Sequence, residues 1–288
     1  MGLLFGIRPF EFSDFFELFK DGNLDLSRLN YVEIVRKNID AGFKHIEITG
    51  DLAYVLPGVL TQAIIEDLVK IKEEESISFS VHLPLWAIEP AAFAPEIRKA
   101  SVEIFVNCIN LTKPLDPLCW VMHPTGSLTV EFMNMNLPEF AQAIMMQQFT
   151  LYATEAIKQT LELTGIEPRK LAIENIEYPF DIMYPIIQQL DLSICFDTGH
   201  LLAGFSGNMG VIEFLENYYC RIIEFHIHDG EYPRVDHKVL GKHKLPVREL
   251  LLNLIDKNYQ GPLVYELNHQ ESLESMEYVK KNVPEALD

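Results

Sequence analysis

Seven acidic or imidazole side chains sit at or near the ends of short β-rich runs. They are Glu47 in HIEIT, His82 in FSVHLP, His123 in CWVMHP, Glu174 in LAIEN, Asp197 in LSICFDTGH, His226 in IIEFHIHD and Glu266 in PLVYEL. A mixture of imidazole and carboxylate without thiolate suits zinc, manganese, magnesium or iron better than a soft metal. Asp197 and His200 form a D-x-x-H pair that turns both side chains into one mouth, and Glu174 and Glu266 reach a shared ion from different runs. His226 and His228 alternate on one strand face, and Asp236 and His237 follow in a polar loop. Arg234, just before that pair, is placed to hold a phosphate or hydroxyl of a substrate. The plainer readings stand beside these. Glu47 supports a ligand rather than being one, and His228 bonds a neighbouring carbonyl if it does not meet substrate. His45 is a surface residue between helix and strand, and His243 and His269 are solvated loop residues.

The elements that must position these groups alternate between β-rich runs and helical patterns. LLFGI precedes the seven runs above and makes eight strands. Helical stretches such as TQAIIEDLVKIKEE, EFAQAIMMQQFTLYATEAIKQTLELTG and VRELLLNLIDKN lie between them. Gly42, Gly165 and Gly261 each stand between a helical run and the next strand, where a helix stop belongs. Eight alternating units in 288 residues predict one (β/α)8 TIM barrel occupying residues 1–288 as a single domain. No GxGxxG follows the first strand, which argues against an open dinucleotide-binding sheet. In a barrel of this kind the carboxyl ends of the strands form the catalytic face, which is where the candidate groups fall.

Hydrophobic residues make up 48% of the chain, enough for a large core. The formal net charge of −19 repels phosphate backbones at long range and disfavours nucleic acid as a partner, so a small phosphate- or sugar-containing substrate is expected. No apolar run is long enough to span a membrane, and the first residues lack the pattern of a secretion signal. Cys108, Cys119, Cys195 and Cys220 form no CxxC pair, and three of them lie in apolar runs, which suggests reduced thiols in a cytoplasmic setting. The sequence predicts no oligomeric state.

The ordered pieces GFKHIEIT, SVHLP, VMHP, AIEN, CFDTGH, HIHDGEYPRVDHKVLG and GPLVYE resemble the xylose isomerase-like TIM-barrel superfamily, also described as the endonuclease IV-like or AP endonuclease family 2 group. CFDTGH and VDHKVLG are the most specific, and together the pieces span nearly the whole chain. The resemblance implies one to three divalent ions per chain and two alternative chemistries. In the sugar isomerases and epimerases one ion is held by the positions matching Glu174, Asp197, His226 and Glu266. The two glutamates act there as acid and base, and the position of His200 contacts sugar oxygens. In the endonuclease IV-like phosphodiesterases the resemblance assigns a first ion to His82, His123 and Glu174. It assigns a second to Glu174, Asp197, His226 and Glu266, and a third to His200, Asp236 and His237. Here Asp236 and His237 are adjacent rather than separated by one residue, and their loop is shorter than in the DNA enzyme.

Because a candidate exists for every position of the larger set, the leading expectation is hydrolysis of a small-molecule phosphodiester. A metal-dependent sugar or sugar-phosphate isomerase or epimerase is the alternative, and a non-catalytic binding barrel is the third. Substrate specificity is expected from LWAIEPAAFAPEIR and PTGSLTVEFMNMNLPEF, with Trp86, Phe93, Phe132 and Met133 forming an apolar wall.

Overall fold

The eight expected strands all form, and they close on one another. The structure, a computed structural model, describes residues 2–10, 18–20, 23–24, 29–56, 58–86, 88–176 and 179–287. The barrel strands are β1 (Leu4–Ile7), β2 (His45–Thr49), β3 (Ser78–His82), β4 (Trp120–Met122), β5 (Leu171–Glu174), β6 (Ser193–Asp197), β7 (Ile222–His226) and β8 (Pro262–Tyr265). Each pairs in parallel with its neighbours in sequence, and β1 pairs with β8 to complete the circle. One principal helix follows each strand: α1 (Tyr31–Asp40), α2 (Gln62–Glu75), α3 (Pro95–Thr112), α4 (Glu139–Thr164), α5 (Phe180–Gln189), α6 (Val211–Tyr218), α7 (Val247–Asp256) and α8 (His269–Asn282). This is the (β/α)8 barrel that the alternation predicts.

Local chemistry explains the boundaries. The Asn30, Thr61 and Asn268 side chains accept N–H bonds from the first turns of α1, α2 and α8, satisfying donors that a helix start leaves unpaired. Gly165 ends α4 in the left-handed conformation that costs glycine nothing. Gly261 does not stop α7. Asn258 takes the left-handed position there, and Gly261 lacks a side chain because a Cβ would lie 2.2 Å from the Ile223 carbonyl oxygen.

Period-two alternation sends one set of strand residues toward the helices and the other toward the barrel axis. Ile46, Ile48, Phe79, Val81, Phe196 and Phe225 belong to the apolar layer under the helices, where Phe196 stacks on Phe214 at 4.2 Å. The axial set is largely polar, with Val121, Ala172 and Cys195 as a small apolar patch among the carboxylates and imidazoles, whereas barrel interiors are ordinarily filled by branched apolar side chains. His45, expected at the surface, is completely buried on this axis, with Nδ1 2.8 Å from Ser78 Oγ and Nε2 2.9 Å from Ser80 Oγ. Ser80 in turn donates to Glu224 Oε1 at 2.9 Å, and the Cys119 thiol lies 3.1 Å from Glu224 Oε2. Cys108, Cys119 and Cys195 are buried and Cys220 is exposed, none of them in a disulfide. Among the described residues no helix is long and apolar enough to cross a membrane.

Burial holds the His45 imidazole down to about 3, because the cation is penalised away from water. The unfolded chain takes up this proton below about pH 6.5 while the folded chain does not, so stability falls as pH drops through that window. The slope is at most about 1.4 kcal/mol per pH unit for one group. A His45→Gln variant keeps polar contact with the serines and is expected to show a flatter dependence of its urea midpoint between about pH 6.5 and 4 than the wild type. Parallel profiles would remove His45 from the acid response.

Candidate metal centre

Every strand delivers a polar residue to the carboxyl-end face of the barrel. Arg8 follows β1, Thr49 and His82 end β2 and β3 in register, His123 follows β4, and Glu174, Asp197 and His226 end β5, β6 and β7. Glu266 follows β8. Glu47 lies two residues deeper than Thr49, opposite Ser80, and is beneath the ring rather than in it.

The D-T-G-H segment shows how the sequence shapes the ring. Asp197 caps the short helix Thr198–Ala203, with Oδ1 accepting the His200 N–H at 2.6 Å. Its Oδ2 is left for the ring, where His228 Nε2 reaches it at 2.9 Å. Gly199 is required because a Cβ would lie 2.1 Å from the His228 ring. His228 Nδ1 accepts the His237 backbone N–H at 2.9 Å, so Nε2 carries the hydrogen and donates it to Asp197. His228, expected to bind substrate, is fully buried with both ring nitrogens engaged and does not line the mouth.

The residues gather in three groups. In the first, His82 Nε2 and His123 Nε2 lie 3.2 Å and 3.0 Å from Glu174 Oε2. His82 Nδ1 is 2.9 Å from the Leu83 carbonyl oxygen and must donate to it, so a neutral ring aims the Nε2 lone pair at the carboxylate. In the second, His226 Nδ1 lies 3.7 Å from Glu174 Oε1, 3.6 Å from Asp197 Oδ2 and 3.6 Å from Glu266 Oε2. Ligands of a tetrahedral ion at 2.0–2.2 Å stand roughly 3.3–3.6 Å from one another, close to the distances of these three oxygens from His226 Nδ1. His226 Nδ1 and Glu174 Oε1 are fully buried without a hydrogen-bond partner, a costly arrangement that a cation between them relieves. The residues of these two groups therefore fit a divalent metal. In the third group Asp236 Oδ2 stands between His237 Nδ1 at 3.0 Å and His200 Nε2 at 3.7 Å. Its members are also drawn inward, His237 Nε2 to Glu266 Oε2 at 3.1 Å and His200 Nδ1 to Glu174 Oε1 at 2.9 Å, the latter without hydrogen-bond alignment.

Burial opposes charge throughout the ring, and neighbours outweigh it. Burial raises the Glu174 carboxyl, but His123 and His226 hold it well below the usual range. Arg8 and His226 do the same for Glu266 against its own burial. Burial lowers the His226 imidazole, and Cys195 with the surrounding carboxylates raises it well above the ordinary value.

Above the ring opens a cavity of about 830 Å³. Arg8, Trp86, Phe205, Tyr232 and Arg234 line its wall, with Asp236 and Glu266 at its floor and rim. Arg234 bonds to Asn134 and lies 5.9 Å from the centre of the Phe205 ring. Asp51 fixes Trp86 by accepting its backbone N–H at 3.0 Å. Phe93 and Phe132 do not join this wall and pack on Phe149 of α4, while the Met133 side chain lies outside the described residues. Arg8 joins the site unforeseen, its one sequence signal being a charged residue directly after the first strand. His243 and His269 are half-buried away from the ring, beside Glu231 and Asn38.

A closed parallel (β/α)8 barrel with imidazoles and carboxylates at the carboxyl ends of its strands is the class that fold and site define. The chain belongs to the xylose isomerase-like TIM barrel family, which it matches over residues 35–283. It is 24% identical over 229 residues to an uncharacterized protein of Methanocaldococcus jannaschii, covering 75% of this chain and 74% of that protein. Among solved structures, a D-tagatose 3-epimerase-like protein superposes with a TM-score of 0.70 at 20% identity, covering 100% of this chain and 98% of the other. Endonuclease IV from Thermus thermophilus superposes with a TM-score of 0.66 at 19% identity, covering 88% of this chain and 94% of the other. At these identities the likenesses establish the shared fold.

Glu174→Gln and Asp197→Asn are expected to keep the barrel folded by circular dichroism while weakening binding of added Zn2+ by at least about tenfold, since each replaces a charged ligand by a near-isostere. Undiminished binding in both would dissolve the second group. Zn2+ affinity of the wild type is also expected to weaken as pH falls, beginning above the ordinary imidazole value of about 6.5, because the His226 proton competes with the ion. A flat profile through that range would point to carboxylate ligands alone.

Proposed function

We propose that this chain is a divalent-metal-dependent phosphoesterase acting on a small-molecule phosphodiester. The observation that supports this reading is the division of Glu174: Oε2 faces His82 and His123, and Oε1 faces His226. A carboxylate placed in this way could serve two neighbouring ions. His82, His123 and Glu174 would hold one, and Glu174, Asp197, His226 and Glu266 the other. Bound there, such cations supply Lewis acidity at a phosphoryl oxygen and make water acidic enough to attack at neutral pH.

The chain's own groups do the rest. Arg234 at the mouth and Arg8 beside Glu266 present positive charge to phosphoryl oxygens in an otherwise acidic protein. Trp86 offers an apolar wall to the remainder of the substrate. Burial lowers the His237 imidazole, but bonds to Asp236 and Glu266 hold it well above its ordinary value, so its Nε2 can carry a proton to a departing alkoxide. The ring carboxylates are almost wholly withdrawn from water, which strengthens each of these electrostatic contacts.

A second reading is favoured by the single four-ligand set around His226 Nδ1, in which Glu174 and Glu266 flank one position from two strands. This is the arrangement for proton exchange beside a sugar carbonyl, and the D-tagatose 3-epimerase-like protein shares the fold. His123 separates the two. In the phosphoesterase, His123→Ala loses one metal per chain and lowers turnover of a bis-aryl phosphodiester by orders of magnitude, and His226→Ala is at least as damaging. In the epimerase, His123→Ala keeps the metal content and the wild type incorporates solvent deuterium into ketoses. An unchanged metal content in His123→Ala, with no phosphodiester turnover by the wild type, overturns the phosphoesterase.

A further inference from the structure

The site uses only the upper ends of the strands, yet two further carboxyl groups, Glu47 and Glu224, lie completely buried on the barrel axis beneath it. An ionisable pair in such a place costs several kcal/mol unless something compensates it, and a fully apolar filling is the ordinary alternative. Their contacts lead upward to one ligand. Glu47 Oε2 lies 3.1 Å from His226 Nε2, on the edge of the ring opposite the Nδ1 that faces Glu174, Asp197 and Glu266. An imidazole that ligates through Nδ1 must carry its hydrogen on Nε2, and Glu47 is the acceptor for that hydrogen. Glu224 Oε1 lies 3.8 Å from the same His226 Nε2, and this carboxyl group is fixed by the Ser80 hydroxyl at 2.9 Å and the Cys119 thiol at 3.1 Å. His45 backs Ser80 at 2.9 Å.

We infer that Glu47 is a positioning residue for the metal centre: it holds His226 in the Nδ1-ligating tautomer and orientation, with the Glu224–Ser80–His45 column packed beneath the same ring. The inference rests on the metal-centre reading above and extends it to the layer beneath. It assigns a purpose to buried charge that barrel packing alone does not need. A carboxylate on the far nitrogen makes the imidazole a stronger donor, and loss of such a partner typically weakens metal binding about 10–100-fold.

Cobalt(II) added to the metal-free protein is the probe, because its visible spectrum reports the ligand field and its affinity is measured without turnover. Glu47→Gln keeps an oxygen in reach of the Nε2–H but removes the charge. It is expected to bind cobalt roughly 10–100-fold more weakly than wild type, with a shifted visible band and an unchanged circular dichroism spectrum. In a His226→Ala background the same substitution is expected to cost nothing further, because Glu47 acts through that ring. Glu224→Gln, which leaves Glu47 in place, provides a second variant and is expected to shift the affinity in the same direction by less. Wild-type affinity and spectrum in Glu47→Gln overturn the inference while leaving the metal centre standing, as does an equal loss with and without His226. A wild-type protein that binds no cobalt, zinc or manganese overturns the centre itself.

Discussion

The constraint on which this molecule depends is the cost of placing charge on the axis of a barrel. Carboxylates and imidazoles from seven strands are withdrawn from water there, and each would be strongly unfavourable alone. They survive because most of these charges face an opposite one or a hydrogen bond on at least one side: Glu174 the imidazole that follows β4, Glu266 the guanidinium after β1, Asp197 His228. What the ring leaves uncompensated is local and specific. It is the space between His226 Nδ1 and three carboxylate oxygens, which suits a dication better than any group of the chain.

Much of the architecture around the ring serves its orientation. Asp197 divides its oxygens between a helix start and the axis, so the turn after β6 and the ligand geometry are set by one side chain. Asp229 accepts backbone N–H groups from Gly230, His243 and Leu245, closing the loop that presents Arg234, Asp236 and His237. Asp51 does the same for the backbone of Leu85 and Trp86. Buried carboxylates thus have two uses here, binding loops to the barrel and facing the axis. The first use gives the loops of the mouth a fixed floor, as preorganised binding requires.

The mouth and the ring differ in character. The ring is acidic and imidazole-rich, and the wall above it carries two arginines and exposed aromatic rings on a chain of net charge −19. Such a wall is what the proposed phosphodiester substrate, with an anionic group and an apolar portion, would require. The choice between hydrolysis and proton exchange turns on whether His82 and His123, whose Nε2 atoms lie 3.2 Å and 3.0 Å from Glu174 Oε2, act as ligands.

The barrel and the ring were legible in the sequence because both follow from short-range rules. Alternation of β-rich and helical runs dictates the (β/α)8 order, and a polar residue at the end of an apolar run marks the catalytic face. The D-x-x-H spacing likewise forecast that Asp197 and His200 come together, and they lie 3.3 Å apart, although His200 lines the mouth and Asp197 lies beneath it. What lay beyond the sequence depended on partners far apart in the chain. Arg8 meets Glu266 across 258 positions and Glu47 meets His226 across 179, and no local pattern specifies such pairings. His45 looked like a surface residue because its neighbours are a loop and a strand start, yet period two turns it inward onto Ser78 and Ser80. His228 looked available to substrate until the loop after β7 folded back and its amide occupied the ring nitrogen. Local sequence decides which residues point to the axis, and only barrel closure, by fixing strand register and tilt, decides which of them face one another and at what depth.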